Sequence, residues 1–285
     1  MGIVISRRNL LLGASFVLCA DIVPMKHLQV VGEWCFIGVP VRKSNRAVMI
    51  LDGNGTTVGP TSSSWEKNAA CAALSQALID AGFVVAQSNR TATPDNGMWG
   101  NPPSQQAVIA LMAMLRHDYG INRFTAMTVS AGSITLLNLL LDGKAEFEAA
   151  ALFSPVISLE SMYRCPGGFN RVKWIAAAYK FQPARPCPGD PENDEAFRHA
   201  TDGFDPMRRI RSGLPKSRGG LRTSWMVLYH RGDPKVLPPE NGARFVRLLR
   251  ANAAAVKEVA IDGNTHNSDD LMRGNLQDVV RLMKG

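Results

Sequence analysis

A serine near the middle of the chain stands where a strand is expected to pass directly into a helix. Residues 124–129 are apolar and β-branched, which is typical of a buried parallel strand, and residues 134–141 are apolar enough for a helix packed on a sheet. Ser130 lies between them, followed by Ala131 and Gly132. Such a turn exposes the serine hydroxyl and directs the next N–H groups to the same point, as nucleophilic catalysis requires. The alternative is that Ser130 only caps a core helix.

Two more residues that could take part in this chemistry follow strands later in the chain. Asp233 comes shortly after the apolar run 224–229, and His266 comes shortly after the run 257–261. An aspartate can hold a histidine in the tautomer that accepts a serine proton, and it stabilises the imidazolium that forms. The alternative for Asp233 is a residue of a surface turn.

The elements that must position these residues alternate along the chain. Strands are predicted at 27–32, 34–41, 47–51, 83–87, 124–129, 149–153, 224–229 and 257–261. Helices are predicted at 63–81, where Ser63 and Glu66 form a capping box, and at 104–119, 134–141 and 240–252. This alternation predicts an α/β fold with a mostly parallel central sheet and helices on both faces.

The order serine, aspartate, histidine, each after its own strand, resembles that of the α/β-hydrolase superfamily, in particular its serine esterases and lipases. The resemblance rests on Thr-Val-Ser-Ala-Gly at 128–132, on Gly-Asp-Pro-Lys-Val-Leu-Pro at 232–238, and on the histidine before the last helix. Thr128 replaces the first glycine of the family's Gly-x-Ser-x-Gly pattern. The resemblance implies that Ser130 is the nucleophile, His266 the general base and Asp233 the acid that orients the base.

The same resemblance assigns an oxyanion hole and one substrate contact. The glycine-rich loop after the third strand stands where the family has a His-Gly-Gly loop, so the backbone N–H groups of Asn54 and Ala131 are the expected donors. Asp52 replaces the family's histidine, and the alternative for this loop is an ordinary tight turn. Trp99 lies in a polar loop, 88–103, which resembles the loop of a poorly characterised bacterial branch of these hydrolases. We expect Trp99 to line the substrate site, or else to anchor its loop.

The region 156–222 loses the regular alternation and is too long for a bare loop. We interpret it as a lid or cap inserted between the sixth and seventh strands of one hydrolase domain that spans 21–285. This insert contains Cys165 and Cys187, whose spacing does not establish a disulfide.

The first 20 residues resemble a targeting segment. The run Ser6-Arg7-Arg8-Asn9-Leu10-Leu11 is similar to the twin-arginine export pattern, and the apolar run after it is too short to span a bilayer. This predicts an exported protein, periplasmic or secreted, with no stable membrane span. The alternative is an N-terminal element retained in a cytoplasmic protein.

The composition of the chain limits which other classes of protein it can belong to. The chain has 285 residues, 46% of them hydrophobic, which is enough for one large core. Its formal net charge is +8, but the basic residues are scattered and lack interleaved aromatic residues, so no nucleic-acid partner is predicted. No Cys/His spacing resembles a zinc site. The resemblance implies that neither a metal nor an organic cofactor is needed.

The sequence therefore predicts a serine hydrolase that acts on a small-molecule ester or acyl substrate. Hydrolysis of a carboxylic ester is the first hypothesis, and thioester or amide hydrolysis or acyl transfer on the same triad is an alternative. Another is a hydrolase-like binding protein without catalysis, which the departures at Thr128 and Asp52 make conceivable. Neither the substrate nor the oligomeric state follows from the sequence.

Overall fold

The structure is a computed structural model of the chain, and it describes residues 25–90, 99–168, 170–185, 194–211 and 222–285. The predicted signal segment 1–20 lies outside the described residues, as do Cys187 and most of the polar loop before Trp99.

An eight-stranded sheet forms the centre of the molecule. Its strands are β1 Lys26–Val30, β2 Glu33–Gly38, β3 Arg46–Leu51, β4 Val84–Ser88, β5 Arg123–Val129, β6 Ala149–Phe153, β7 Ser224–His230 and β8 Val256–Ile261. They lie in the order β1-β2-β4-β3-β5-β6-β7-β8. Strand β2 pairs antiparallel with β1 and β4, and all other pairs are parallel. The prediction of a mostly parallel sheet is confirmed.

Helices cover both faces of this sheet, as the sequence predicts. The helices outside the segment between β6 and β7 are α1 Ser64–Lys67, α2 Ala69–Asp80, α3 Pro102–Tyr119, α4 Gly132–Leu141, α9 Gly242–Ala251 and α10 Asp269–Lys284. Those within that segment are α5 Leu159–Tyr163, α6 Val172–Tyr179, α7 Glu195–Thr201 and α8 Pro206–Arg211. Apolar residues of α3, α4 and α9 pack in the core on one face, and those of α2 and α10 pack on the other. Central strands such as β6 are buried on both faces, which explains their continuous apolar sequence.

Two predicted helix boundaries were wrong for local reasons. The helix predicted over 63–81 breaks at Asn68, whose backbone is extended and whose side chain caps α2 by accepting from the N–H groups of Ala70 and Cys71. The helix predicted from residue 104 begins at Pro102, because Asn101 accepts a hydrogen bond from the Ser104 N–H and prolines occupy the first two positions.

The segment between β6 and β7 packs on the part of the core nearest the serine turn. Its helices α5, α6 and α7 share a hydrophobic cluster with Trp99 and with Ala131 and Ile134 at the start of α4. The segment lies between the sixth and seventh strands, where the insert is predicted, and its role as a lid stays a prediction. Over the described ranges, the structure contains no helix with the length and apolarity needed to span a bilayer.

Candidate active site

The turn from β5 into α4 holds Ser130 in a backbone conformation that side chains rarely adopt. Its φ is +48°, and its N–H donates to the carbonyl of Phe153 on the neighbouring strand at 3.0 Å. The carbonyl of Ser130 accepts from the N–H of Val156, also at 3.0 Å. Left-handed backbone at a non-glycine residue costs about 1 to 3 kcal/mol and tends to mark functional sites. The surrounding strand ends hold Ser130 in this strained turn.

The two pattern positions beside Ser130 differ in how strictly they need glycine. A Cβ added to Gly132 would lie 1.9 Å from the carbonyl oxygen of Leu51, so only glycine fits where α4 crosses the end of β3. At the other position, Thr128 is fully buried and its hydroxyl pairs with that of Ser133 at 2.7 Å. The threonine that departs from the family pattern therefore ties β5 to the first turn of α4.

The structure brings Ser130, His266 and Asp233 together at one edge of the sheet. The Ser130 hydroxyl lies 3.0 Å from Nε2 of His266, and Nδ1 of His266 lies 2.7 Å from Oδ2 of Asp233. The other oxygen of Asp233 accepts from the backbone N–H groups of Lys235 at 2.9 Å and Val236 at 3.0 Å. Because Asp233 is buried and both its oxygens are hydrogen-bonded, its position is fixed. The chain of contacts can pass a proton from serine to histidine.

Parallel strands explain why residues so distant in sequence meet. Strands β5, β6, β7 and β8 are successive neighbours that run in the same direction, so the loops after them lie at a common edge. The loops that carry Asp233 and His266 are also joined directly. The N–H of Gly232 donates to the carbonyl of Gly263 at 2.9 Å, and that of Arg231 donates to Ile261 at 2.9 Å.

The buried His230, at the end of β7, contacts residues on both sides of His266. Its Nε2 lies 2.8 Å from Oδ2 of Asp270 in the first turn of α10. Its ring packs against Gly263, where a Cβ would come within 2.5 Å of Cδ2. His230 therefore supports the loop that presents His266.

No protein-family model and no curated protein matches the sequence, but solved structures match the fold. Acylaminoacyl peptidase of Pyrococcus horikoshii has a TM-score of 0.66 at 10% identity, covering 93% of this chain and 42% of the peptidase. S-formylglutathione hydrolase of Agrobacterium tumefaciens has a TM-score of 0.63 at 13% identity, covering 91% of this chain and 92% of the hydrolase. Carboxyl esterase 2 of Tuber melanosporum has a TM-score of 0.58 at 17% identity, covering 95% and 89%. The chain has the α/β-hydrolase fold.

This chain thus spans less than half of the peptidase that it resembles and nearly the full length of the hydrolase and the esterase. The predicted resemblance and fold class are confirmed at the level of the α/β-hydrolase fold.

In this α/β-hydrolase fold, the loop after β3 lies directly beside the serine. A Cβ on Gly53 would be 3.4 Å from Cβ of Ser130, and Asn54 lines the same cavity as Ser130. Ala131 follows the serine at the start of α4. Among the described residues, no acceptor engages the backbone N–H of Asn54 or Ala131. Their assignment to an oxyanion hole stays a prediction.

Asp52, where the family has a histidine, stabilises that loop from within. Its carboxylate accepts from the N–H of Gly53 at 2.6 Å, and its carbonyl accepts from the guanidinium of Arg90. Burial raises the pKa of Asp52 to about 6, partly offset by the Gly53 N–H and the charge of Arg90. The buried Arg90, whose pKa burial lowers to about 10, was missed by sequence reasoning, since nothing in its local pattern distinguishes it from a surface arginine.

A cavity of about 350 Å³ opens at the serine and the histidine. Its lining comes from six parts of the fold: Asp52, Gly53, Asn54 and Thr56 after β3; Ser64, Trp65, Asn68 and Cys71 at α1 and α2; Trp99 before α3; Val129 and Ser130 at the end of β5; Met162 and Arg171 of the insert; and His266, Ser268, Asp269 and Met272 after β8. Trp99 lines this cavity, and its carbonyl also accepts from the hydroxyl of Tyr179 at 2.6 Å, so it anchors its loop as well.

Sequence reasoning did not identify the residues that the insert contributes to this cavity. Met162 lies in α5, and Arg171 lies immediately before α6. Neither carries a recognisable motif, and the path of the insert across the site is decided by tertiary packing. Within the described part of the chain, no group of three or more His, Cys, Asp or Glu side chains is arranged to hold a metal ion.

Proposed function

We propose that this protein is a serine hydrolase that cleaves carboxylic esters through an acyl-enzyme intermediate. The observation that carries the proposal is the hydrogen-bonded series Ser130, His266 and Asp233 at the edge of the sheet, with Ser130 in a strained strand-to-helix turn. A serine that merely capped a helix would need neither the histidine nor the strain.

In the first half of the reaction, the Ser130 oxygen attacks the acyl carbonyl and its proton moves to Nε2 of His266. Asp233 accepts a hydrogen bond from Nδ1 and stabilises the imidazolium. The negative charge on the former carbonyl oxygen is met by the N–H groups of Ala131 and Asn54, at about 3 kcal/mol for each well-placed donor. His266 then gives the proton to the leaving alcohol oxygen, and the acyl group stays on Ser130.

In the second half, a water molecule takes the place of the alcohol. His266 accepts a proton from this water as it attacks the acyl-enzyme, a second tetrahedral intermediate collapses, and the proton returns to the Ser130 oxygen. The acid product leaves and the resting site is restored.

Ester hydrolysis is favoured over peptide hydrolysis by the extent of the structural matches. The peptidase match covers 42% of that peptidase, whereas the match named carboxyl esterase covers 89% of its chain. The match to S-formylglutathione hydrolase, whose named substrate is a thioester, covers 92% of that chain and keeps thioester cleavage as an alternative. The cavity at Ser130 is also small, about 350 Å³, which suits a small-molecule substrate. Thioester cleavage and acyl transfer would use the same catalytic groups, so both remain alternatives to ester hydrolysis.

A fluorophosphonate probe tests the proposal directly, because it reacts with activated serines. We expect the wild-type protein to be labelled and Ser130→Ala to lose the label, together with hydrolysis of p-nitrophenyl esters. Ser154→Ala is the matched control, since Ser154 also has a positive φ, +43°, and follows the adjacent strand β6, but it is buried whereas Ser130 is only partly buried. Absence of label in the folded wild-type protein would favour the binding-protein alternative.

A further inference from the structure

We propose that the substrate of this site carries a carboxylate in addition to its ester, and that Arg171 binds that carboxylate. This inference rests on the proposed function, because it names the class of ester that the Ser130 site accepts. Arg171 lines the same cavity as Ser130 and His266, although it comes from the insert rather than from the sheet.

The guanidinium of Arg171 is held in a way that suits a carboxylate. Its Cζ lies over the ring of Trp174, 3.9 Å from the centroid. A cation–π contact attracts the charge of the guanidinium to the ring, whereas a carboxylate binds to the N–H groups in the guanidinium plane. With five N–H donors, a guanidinium that makes other contacts can still bind both oxygens of a carboxylate. Trp174 thereby orients a cation at the wall of the cavity.

The charged side chains that line the cavity favour binding of a substrate anion at Arg171 over other positions in the cavity. Arg171 is the only arginine or lysine among the described lining residues. The two acids of the lining already have protein partners: Asp52 accepts from Gly53, and Asp269 accepts from the side-chain amide of Asn68 at 2.9 Å. A carboxylate in the substrate would be repelled by both acids and attracted to Arg171, so the distribution of charge would orient the substrate in one direction.

Burial adds a physical reason for an anionic partner. Loss of water around Arg171 lowers its pKa to about 10, which leaves it charged at neutral pH but partly desolvated. A partly desolvated cation is stabilised by an anion more strongly than an exposed one. The cavity of about 350 Å³ has room for a short chain, such as the half-ester of a short dicarboxylic acid.

The test compares two esters of equal acyl length, p-nitrophenyl hexanoate and mono-p-nitrophenyl adipate, which carries a terminal carboxylate. The proteins are the wild type, Arg171→Gln, Arg171→Lys and the control Lys173→Gln. Lys173 is a close match because its Nζ also lies near the ring of Trp174, at 5.5 Å, but its side chain is exposed and is not among the described residues that line the cavity. Comparing ratios between variants cancels the intrinsic reactivity of the esters.

We expect Arg171→Gln to lower kcat/KM for the adipate ester about tenfold relative to the hexanoate ester, the effect of losing one charge-assisted hydrogen bond pair. The loss is expected mainly in KM, with Arg171→Lys intermediate and Lys173→Gln like the wild type. The preference is also expected to weaken as salt is raised. An unchanged ester ratio in Arg171→Gln, or equal losses for both esters, would overturn the inference.

A second measurement keeps the result interpretable if neither ester is cleaved. Free adipate should slow fluorophosphonate labelling of Ser130 in the wild type and not in Arg171→Gln, and equal protection in both would also overturn the inference. Failure of the proposed function looks different, because labelling would then be absent or would persist in Ser130→Ala. The two failures are therefore distinguishable.

Discussion

Gly132 shows how a single residue decides whether the serine turn can form. The space for its side chain is taken by the carbonyl oxygen of Leu51, because α4 begins directly over the end of β3. By contrast, Gly274 lies within α10 and a Cβ there would meet nothing within 4 Å. Both are glycines at helical positions, yet only Gly132 is required by its contacts.

We expect Gly132→Ala to destabilise the protein by about 2 kcal/mol or more, since backbone must move to admit the methyl group. Displacement of α4 should also abolish labelling of Ser130. The control Gly274→Ala should instead stabilise by about 0.5 to 1 kcal/mol, because alanine favours a helix interior. Denaturant unfolding measures both free energies. Equal effects of the two substitutions would contradict the close contact at Leu51.

Asp52 makes the stability of the protein depend on pH in a direction set by its raised pKa. The folded pKa of about 6 lies above the ordinary value of 3.8, so the folded protein binds this proton more tightly than the unfolded chain does. The contribution of Asp52 to the free energy of unfolding is therefore least favourable above pH 6, and it improves as the pH falls from about 6 to about 4.

Asp52→Asn removes this titration while keeping an oxygen that can accept from Gly53. We expect the variant to gain stability relative to the wild type by on the order of 2 to 3 kcal/mol more at pH 8 than at pH 4. Urea unfolding of both proteins at the two pH values provides the comparison. A difference between variant and wild type that does not change with pH would show that burial does not raise the pKa of Asp52.

At the scale of elements, the loop between β8 and α10 decides where His266 lies. Its support comes from β7, through the contact of His230 with Asp270 and the packing of its ring on Gly263. His230 is fully buried, whereas the side chain of Asp270 is 52% exposed. The histidine is therefore the member of the pair whose position is fixed by the core.

We expect His230→Leu to lower kcat for ester hydrolysis about tenfold with little change in KM, since small misplacement of a catalytic group affects the chemical step more than binding. His230 would then act as a positioning residue for His266. Asp270→Asn, which retains an acceptor, should have a smaller effect. Steady-state kinetics and the rate of fluorophosphonate labelling provide the readout, and a loss confined to thermal stability would contradict the positioning role.

The element boundaries show which local patterns determine structure by themselves. Ser63 caps the helix as predicted, with the Glu66 N–H donating to its hydroxyl at 3.1 Å, whereas the Glu66 carboxylate accepts from that hydroxyl at 2.7 Å. The break at Asn68 was not predicted, because its side chain competes with the helix for the N–H groups of Ala70 and Cys71 and also donates to Asp269 on α10. This last contact joins residues far apart in sequence, so it cannot be inferred from local propensity.

At the scale of the whole molecule, the order of the strands explains why the candidate site residues lie at one edge of the sheet. Helices on both faces leave the carboxyl ends of β3, β5, β7 and β8 open, and the loops there supply Asn54, Ser130, Asp233 and His266. The insert between β6 and β7 packs against the start of α4 and adds Met162 and Arg171 to the cavity. The export signal, the lid function of the insert and the oxyanion donors stay predictions.

The sequence by itself determined the alternation of strands and helices and the order of serine, aspartate and histidine after their strands, because burial on both faces leaves continuous apolar runs and turns follow local chemistry. Only the tertiary structure decided that Ser130, Asp233 and His266 lie within hydrogen-bonding distance, that Gly132 is required beneath Leu51, and that Arg171 reaches the cavity. The physical reason is that distances between residues remote in sequence depend on how strands pair and how helices pack, which no local pattern specifies.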